Sequence, residues 1–275
     1  MASHALKKDA LLASDMDGTV IPLKPNPERE AEIKKFNHLF QKHSNVALAY
    51  VTGRHLELGL AGVNQYHLPM PDIFVCDVGT TIYFRSRHMW RKDENFRLEL
   101  RRSWQGLSGA DIARLLFDMP DLAAQEDEKQ KEFKQSYYAS MDMDCKEIAG
   151  RIHDRLNPRG IKANVIYSVD AKKNVGLVDV LPEIAAKDHA LRYLWQRLGL
   201  EKDLVVYAGD SGNDLLVFVS GFNAIVVNNT AEAVKREVRR QAQAKSIEDR
   251  IYFAAGTDVQ GVMEGCFHFK IFPAP

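Results

Sequence analysis

Short apolar runs separated by helical signals constrain this chain more than any other feature. Ala10-Leu11-Leu12-Ala13, Val46-Ala47-Leu48-Ala49-Tyr50-Val51, Ile73-Phe74-Val75-Cys76, Leu204-Val205-Val206-Tyr207-Ala208 and Ala224-Ile225-Val226-Val227 each read as one buried strand. Between the first two, Pro25-Asn26-Pro27-Glu28 supplies a cap, a proline at the first helical turn and an early acid, and Ile33, Phe36, Leu39 and Phe40 mark one helical face. A helix over 185–198 carries Ala190, Leu191, Leu194 and Leu198 on one face, with Gly199 placed to stop it. Asn229, three residues before Glu232, reads as the capping box of a further helix. Strands alternating with helices predict an α/β fold, a parallel sheet covered by helices.

The middle of the chain has a different rhythm. Charged helices are predicted over 111–117 and 144–156, with β-rich segments over 134–140, 163–168 and 176–180. Two helices with several strands that lack crossovers suggest an α+β insert on an antiparallel sheet. The organisation is core, insert, core: residues 1–84 and 183–275 form the core and 85–182 the insert. No internal repeat or low-complexity tract is present.

Composition sets outer limits. A chain of 275 residues, 45% hydrophobic, buries a full core as one large domain or two modest ones. With 37 basic and 37 acidic side chains the net charge is zero, which argues against nucleic-acid binding as its main business. Cys76, Cys145 and Cys266 are odd in number, far apart and without CxxC spacing, so a disulfide framework or zinc site is not expected and a reducing cytosol is. No segment reads as a signal peptide or a membrane span. A cytoplasmic monomer is the expectation.

Four polar clusters fall at strand ends or helix starts of the core. Asp15-Met16-Asp17-Gly18-Thr19 places two carboxylates at the end of the first strand, where open α/β sheets bind ligands. Taken alone, the turn preferences of Asp and Gly account for the pair equally well. Thr52-Gly53-Arg54 offers a hydroxyl and backbone N–H groups to an anion, though an ordinary strand-to-helix turn has the same composition. Lys187 stands near the start of its helix, where an isolated lysine is usually solvated and a cation is disfavoured. Gly209-Asp210-Ser211-Gly212-Asn213-Asp214 suits a hard, oxygen-preferring cation better than a plain polar turn, because so many acids at one strand end repel one another without one.

DMDGT, VTGR, a single lysine before a helix and GDSGND, in this order, resemble the four motifs of the haloacid-dehalogenase-like (HAD) phosphatases. The insert resembles the large α/β cap of the sugar-phosphatase branch. Within that branch the chain is most similar to the sucrose-phosphate phosphatases, through Val78-Gly79-Thr80-Thr81-Ile82-Tyr83, Lys134-Gln135-Ser136-Tyr137-Tyr138, Val178-Asp179-Val180-Leu181-Pro182 and Gly261-Val262-Met263-Glu264. The resemblance implies a Rossmann-like core with an inserted α+β cap that sets substrate specificity. It implies a Mg²⁺-dependent phosphoric monoester hydrolase acting on a small disaccharide phosphate, sucrose 6-phosphate first, in sucrose or compatible-solute synthesis. A contact with the glycosyltransferase that makes the substrate is a further expectation.

By the same resemblance Asp15 is the nucleophile that forms an aspartyl-phosphate, and Asp17 the acid and then the base. Asp15, the Asp17 carbonyl and Asp210 hold the metal, with Asp214 beside them as a further ligand or supporting acid. Thr52, Gly53, Lys187 and Asn213 bind phosphate, and Lys134, Ser136, Asp179 and Thr80 are candidates for the sugar. On strand patterning alone, those last residues are equally surface polar positions. Three departures leave the sugar open: Gly18 where Asn is usual, Thr81 where an acid is common, and Lys187 flanked by Ala186 and Asp188. Mannosylfructose phosphate and mannosyl- or glucosyl-3-phosphoglycerate stay among the substrates, and a phosphomutase of the phosphomannomutase kind is the rival reaction. A non-catalytic sugar-phosphate-binding module is disfavoured, since both carboxylates, Lys187 and the whole acidic loop are present.

Overall fold

The computed structural model describes residues 8–23, 29–87, 89–170 and 173–273. The chain divides into two compact units, one running to Lys92 and resuming at Lys187, the other Asp93–Ala186.

The first unit is built on an eight-stranded sheet. Its strands are β1 (Ala10–Ser14), β2 (Val46–Val51), β3 (Ile73–Cys76), β4 (Thr81–Ser86), β5 (Met89–Lys92), β10 (Val205–Gly209), β11 (Asn223–Val226) and β12 (Ile251–Phe253), in the order β12-β11-β10-β1-β2-β3-β4-β5. The run from β12 to β3 is parallel, and β4 and β5 add an antiparallel hairpin. Every residue of β1, β2, β3, β10 and β11 is buried, as strands covered on both faces must be, and this is why they read as unbroken apolar runs. Helices α1 (Arg29–Lys42), α2 (Leu56–Gln65) and α9 (Asp258–His268) share a core with Leu12, Leu48, Tyr50 and Phe74. Phe40 meets Phe272 edge-on at 5.2 Å within it. The opposite side of β10 carries Tyr207, whose ring meets Phe218 of α7 (Leu215–Phe218). Helices α6 (Lys187–Leu198) and α8 (Glu232–Lys245) complete this unit, and Gly199, at φ +65°, ends α6 as its position predicts.

The second unit holds a four-stranded antiparallel sheet, β6 (Ala123–Ala124), β7 (Gln135–Ala139), β9 (Val175–Pro182) and β8 (Ala163–Asp170) in that order. Gly176, Val178 and Val180 are buried while Val175, Leu177 and Asp179 are only half-buried, the alternation of a sheet with one covered face. Helices α3 (Glu94–Ser103), α4 (Gly109–Leu116) and α5 (Cys145–Leu156) contribute Phe96, Leu100, Ile112, Leu116, Ile148 and Ile152 to its core.

The structure alters several sequence expectations. The first unit extends to Lys92 rather than 84, because β5 pairs with β4 and continues the main sheet; the return is at Lys187 rather than 183, where α6 begins. A third helix, α3, stands in the insert, capped by Asp93, which accepts from the Phe96 N–H at 3.0 Å. Asn229 does not cap α8, whose N-cap is Ala231 with no side-chain bond. The helix-start signal Pro25-Asn26-Pro27-Glu28 lies outside the described residues. Cys76 and Cys266 fill the core, whereas Cys145 is exposed. No helix among the described residues is long and apolar enough to cross a membrane.

Candidate active site

The parallel register brings three of the four polar clusters to one edge of the main sheet. Ser14 pairs with Tyr50 of β2 and with Ala208 of β10, so Asp15, Thr52 and Asp210 all stand just beyond the carboxyl ends of adjacent strands. The Asp15 N–H donates to the Ala208 carbonyl at 2.9 Å, which extends this pairing one residue into the turn. The chain then folds tightly, with the N–H groups of Thr19, Val20 and Ile21 all donating to the Met16 carbonyl. Gly18, at φ +84°, makes that turn possible, and a Cβ there would stand 2.2 Å from Asp210 Oδ2.

Lys187 is not a solvated surface lysine. It is 5% exposed, and its Nζ lies 2.9 Å from Asp15 Oδ2, 2.7 Å from Asp214 Oδ1 and 3.0 Å from Asn213 Oδ1. Burial alone would lower its pKa, but the two carboxylates outweigh that and hold it above the usual lysine value. The cost of a cation at a helix start is met here by direct ion pairs in a buried site.

Asp15, Asp210 and Asp214 are all buried, with one oxygen of each within 4.8 Å of the others. Burial pushes Asp15 up to about 7, against the opposing pull of Lys187. It pushes Asp210 up to about 6, against a hydrogen bond from Thr19 Oγ1 at 2.8 Å. Three carboxylates facing one lysine leave an excess of negative charge that a divalent cation would balance. The donors are hard oxygens, as Mg²⁺ requires, and Asp15 and Asp210 fit it. Asp214 is differently engaged. Its Oδ1 accepts from Lys187 and from the Tyr207 hydroxyl, and its Oδ2 from the Asp210 N–H, the Ser211 N–H and Ser211 Oγ. Of the two roles open to it, ligand or supporting acid, this geometry fits the second. Asn213, expected at the phosphate, presents its carbonyl oxygen to Lys187 and Ser211.

Asp17 lies against Arg54, with Nη2 2.6 Å from Oδ1 and Nε 2.9 Å from Oδ2. This paired contact raises the Arg54 pKa further. Thr52 is buried and its Oγ1 accepts from the Arg54 N–H at 3.1 Å, while Gly53 is exposed. The neighbouring turn binds to this one: the Asp77 N–H donates to the Arg54 carbonyl and the Val78 N–H to the Thr52 carbonyl. Thr80, a sugar candidate, is buried in that turn and donates from Oγ1 to the Asp77 carbonyl at 3.0 Å.

The remaining sugar candidates belong to the second unit and form one cluster. Ser136 and Asp179 are directly paired across β7 and β9, and Ser136 Oγ donates to Asp179 Oδ1 at 2.5 Å. Lys134 Nζ lies 3.8 Å from the same oxygen.

Sequence reasoning missed four residues of this architecture. Thr19 holds Asp210, Arg54 holds Asp17, and Tyr207 holds Asp214. Asn229 Nδ2 donates to the Gly18 carbonyl at 2.6 Å and its Oδ1 accepts from the Asp258 N–H, so it ties the turn after Asp15 to α9. Arg54 stood in a quoted motif. For Tyr207, an apolar strand pattern gives no signal.

The sequence model of the family described as sucrose-6F-phosphate phosphohydrolase matches residues 8–270. A putative HAD-like hydrolase of Nitrosococcus oceani is 38% identical over 96% of this chain and 72% of its own length. Mannosylfructose-phosphate phosphatase of Agrobacterium fabrum is 26% identical over 98% of this chain and all of its own. The chain spans 60% of the length of the tobacco and Arabidopsis sucrose-phosphatases it matches. Among solved structures, the sucrose-phosphatase of Synechocystis sp. PCC6803, in complex with sucrose and phosphate, shares the fold. Its TM-score is 0.73 at 24% identity, over 95% of this chain and 98% of that one.

Proposed function

The chain belongs to the sucrose-6F-phosphate phosphohydrolase family of HAD-fold phosphoric monoester hydrolases, and on that premise we propose that it hydrolyses a disaccharide phosphate, sucrose 6-phosphate first, through an aspartyl-phosphate on Asp15. The observation that carries this reading is the buried Asp15 at the end of β1, with Lys187 Nζ 2.9 Å away and Asp17 two residues on.

Asp15 attacks phosphorus while the bond from phosphorus to the sugar oxygen breaks, and Asp17 gives its proton to that oxygen. In the second half Asp17 takes a proton from the water that attacks the aspartyl-phosphate, which frees Asp15 and inorganic phosphate. The two-point Arg54 contact fixes the position of the Asp17 carboxyl group for that second half. Lys187 and the Thr52 turn hold the phosphoryl oxygens, and the ammonium meets charge that grows in transit. Asp15, Asp210 and the Asp17 carbonyl would hold Mg²⁺, which when bound supplies the positive charge that lets an anionic nucleophile approach a phosphate dianion. We assign recognition of the sugar to the Asp93–Ala186 unit, where buried Lys134 and Ser136 and half-buried Asp179 form a polar cluster.

Mannosylfructose phosphate is the second substrate, favoured by the match over the full length of the Agrobacterium phosphatase named for it. Phosphate release from sucrose 6-phosphate, mannosylfructose phosphate, mannosyl- and glucosyl-3-phosphoglycerate and hexose phosphates, with and without Mg²⁺, tests the reading. The highest kcat/KM belongs to sucrose 6-phosphate with Mg²⁺ present. An isomerised sugar phosphate without free phosphate would contradict hydrolysis.

A further inference from the structure

Tyr207 sits in the middle of β10, among Val205, Val206 and Ala208, and is fully buried. Its hydroxyl donates to Asp214 Oδ1 at 2.5 Å. That oxygen also accepts from Lys187 Nζ at 2.7 Å, and the same ammonium reaches Asp15 Oδ2 at 2.9 Å. A hydroxyl carried into a parallel sheet costs free energy unless it is paired, so a tyrosine here is supported by its partner.

We infer that Tyr207 is a positioning residue for phosphoryl transfer: by sharing Asp214 Oδ1 with Lys187, its hydroxyl keeps the ammonium available to Asp15 and the phosphoryl group. The inference rests on the phosphatase reading of the site. A carboxylate oxygen that already accepts one strong hydrogen bond attracts a second donor less. Among the described residues, only Lys187 and Tyr207 donate to Oδ1 in the hydrogen bonds found at Asp214. Without the hydroxyl, this fully buried oxygen turns wholly to Lys187 and draws the ammonium away from Asp15. The effect falls on the transition state, where the ammonium meets the growing equatorial charge, more than on ground-state binding.

The test is Tyr207→Phe, which keeps the ring against Phe218 and removes one oxygen. With Mg²⁺ present, kcat for sucrose 6-phosphate falls about tenfold, the order of a charge-assisted hydrogen bond, with KM within about twofold. Binding of orthovanadate, a trigonal-bipyramidal stand-in for the phosphoryl group in transit, weakens by a similar factor. In an Asp214→Asn background the same change weakens vanadate binding less than about twofold, because the partner through which Tyr207 acts is altered. Vanadate affinity of Tyr207→Phe within twofold of the parent overturns the inference, as does an equal loss in both backgrounds. A parent protein inactive on every sugar phosphate contradicts the proposed function, while the vanadate comparison still decides the role of Tyr207.

Discussion

Arg54 grips Asp17 at two points, Nη2 to Oδ1 at 2.6 Å and Nε to Oδ2 at 2.9 Å, and fixes the carboxylate assigned to proton transfer. A lysine reaches the same charge without the planar fork. Arg54→Lys therefore lowers kcat about tenfold, a part of the roughly 10²–10⁴-fold that a positioned acid–base group contributes. Steady-state phosphate release measures it, and an unchanged kcat would show that Asp17 is aligned by something else. The pair is partly exposed, so little change in stability is expected.

Gly18 and Asp210 stand so close that a side chain on Gly18 requires Asp210 to move. A Cβ on Gly18 would run into Asp210 Oδ2, and the left-handed backbone alone costs an alanine about 1–2 kcal/mol. Gly18→Ala displaces Asp210 and raises the Mg²⁺ concentration for half-maximal activity at least about tenfold, if Asp210 is a ligand. A Mg²⁺ titration of phosphate release checks this. An unaltered half-saturation point would remove Asp210 from the metal site.

The raised pKa values of Asp15 and Asp210 set a pH dependence for the metal-free protein. Each binds its proton more tightly folded than unfolded, Asp15 up to about 7 and Asp210 up to about 6, against a usual value of 3.8. Above the unfolded value the unfolded chain has released these protons while the folded chain still holds them. Stability from these groups is therefore highest at the acidic end and lost as pH rises through the folded values. In EDTA, the thermal midpoint of Asp15→Asn gains on the parent steadily between about pH 4 and 7. Mg²⁺ narrows that gap at pH 7, because it binds the carboxylate form. A gap independent of pH would contradict the burial argument.

On the proposed reading, Lys134, Ser136 and Asp179 serve sugar recognition and not phosphoryl chemistry. Asp179→Asn or Ser136→Ala raises KM for sucrose 6-phosphate about tenfold, the order of one hydrogen bond to a charged group, and leaves vanadate inhibition unchanged. Parallel losses in both would place the cluster in the folding of its sheet instead.

How much of this was legible in the sequence depended on how locally each feature is encoded. The five central parallel strands were readable because burial on both faces demands unbroken apolar runs, and the order of the four motifs pointed to Asp15, Lys187 and Asp210. Helix α3 was hidden because half of its residues are charged and it buries only Phe96 and Leu100. The spacing of Asn229 and Glu232 imitates a capping box, yet Asn229 bonds to Gly18, 211 residues away. Tyr207 looks like one more apolar strand residue until its hydroxyl is seen against Asp214. Asp214 itself carries the same letter as a metal ligand, and only its five accepted hydrogen bonds show how fully it is engaged. Side chains that act across the sheet leave no periodic trace.

The central claim is that Asp15 carries the phosphoryl group. In Asp17→Asn the intermediate forms from a substrate with a good leaving group but lacks the base that hydrolyses it. Acid-quenching this variant with such a substrate and Mg²⁺, followed by peptide mass spectrometry, tests the claim directly. The account predicts one phosphoryl group on the peptide bearing Asp15, absent when Asp15→Asn is added. Phosphorylation of another residue, or near-normal phosphate release by Asp15→Asn alone, would contradict it.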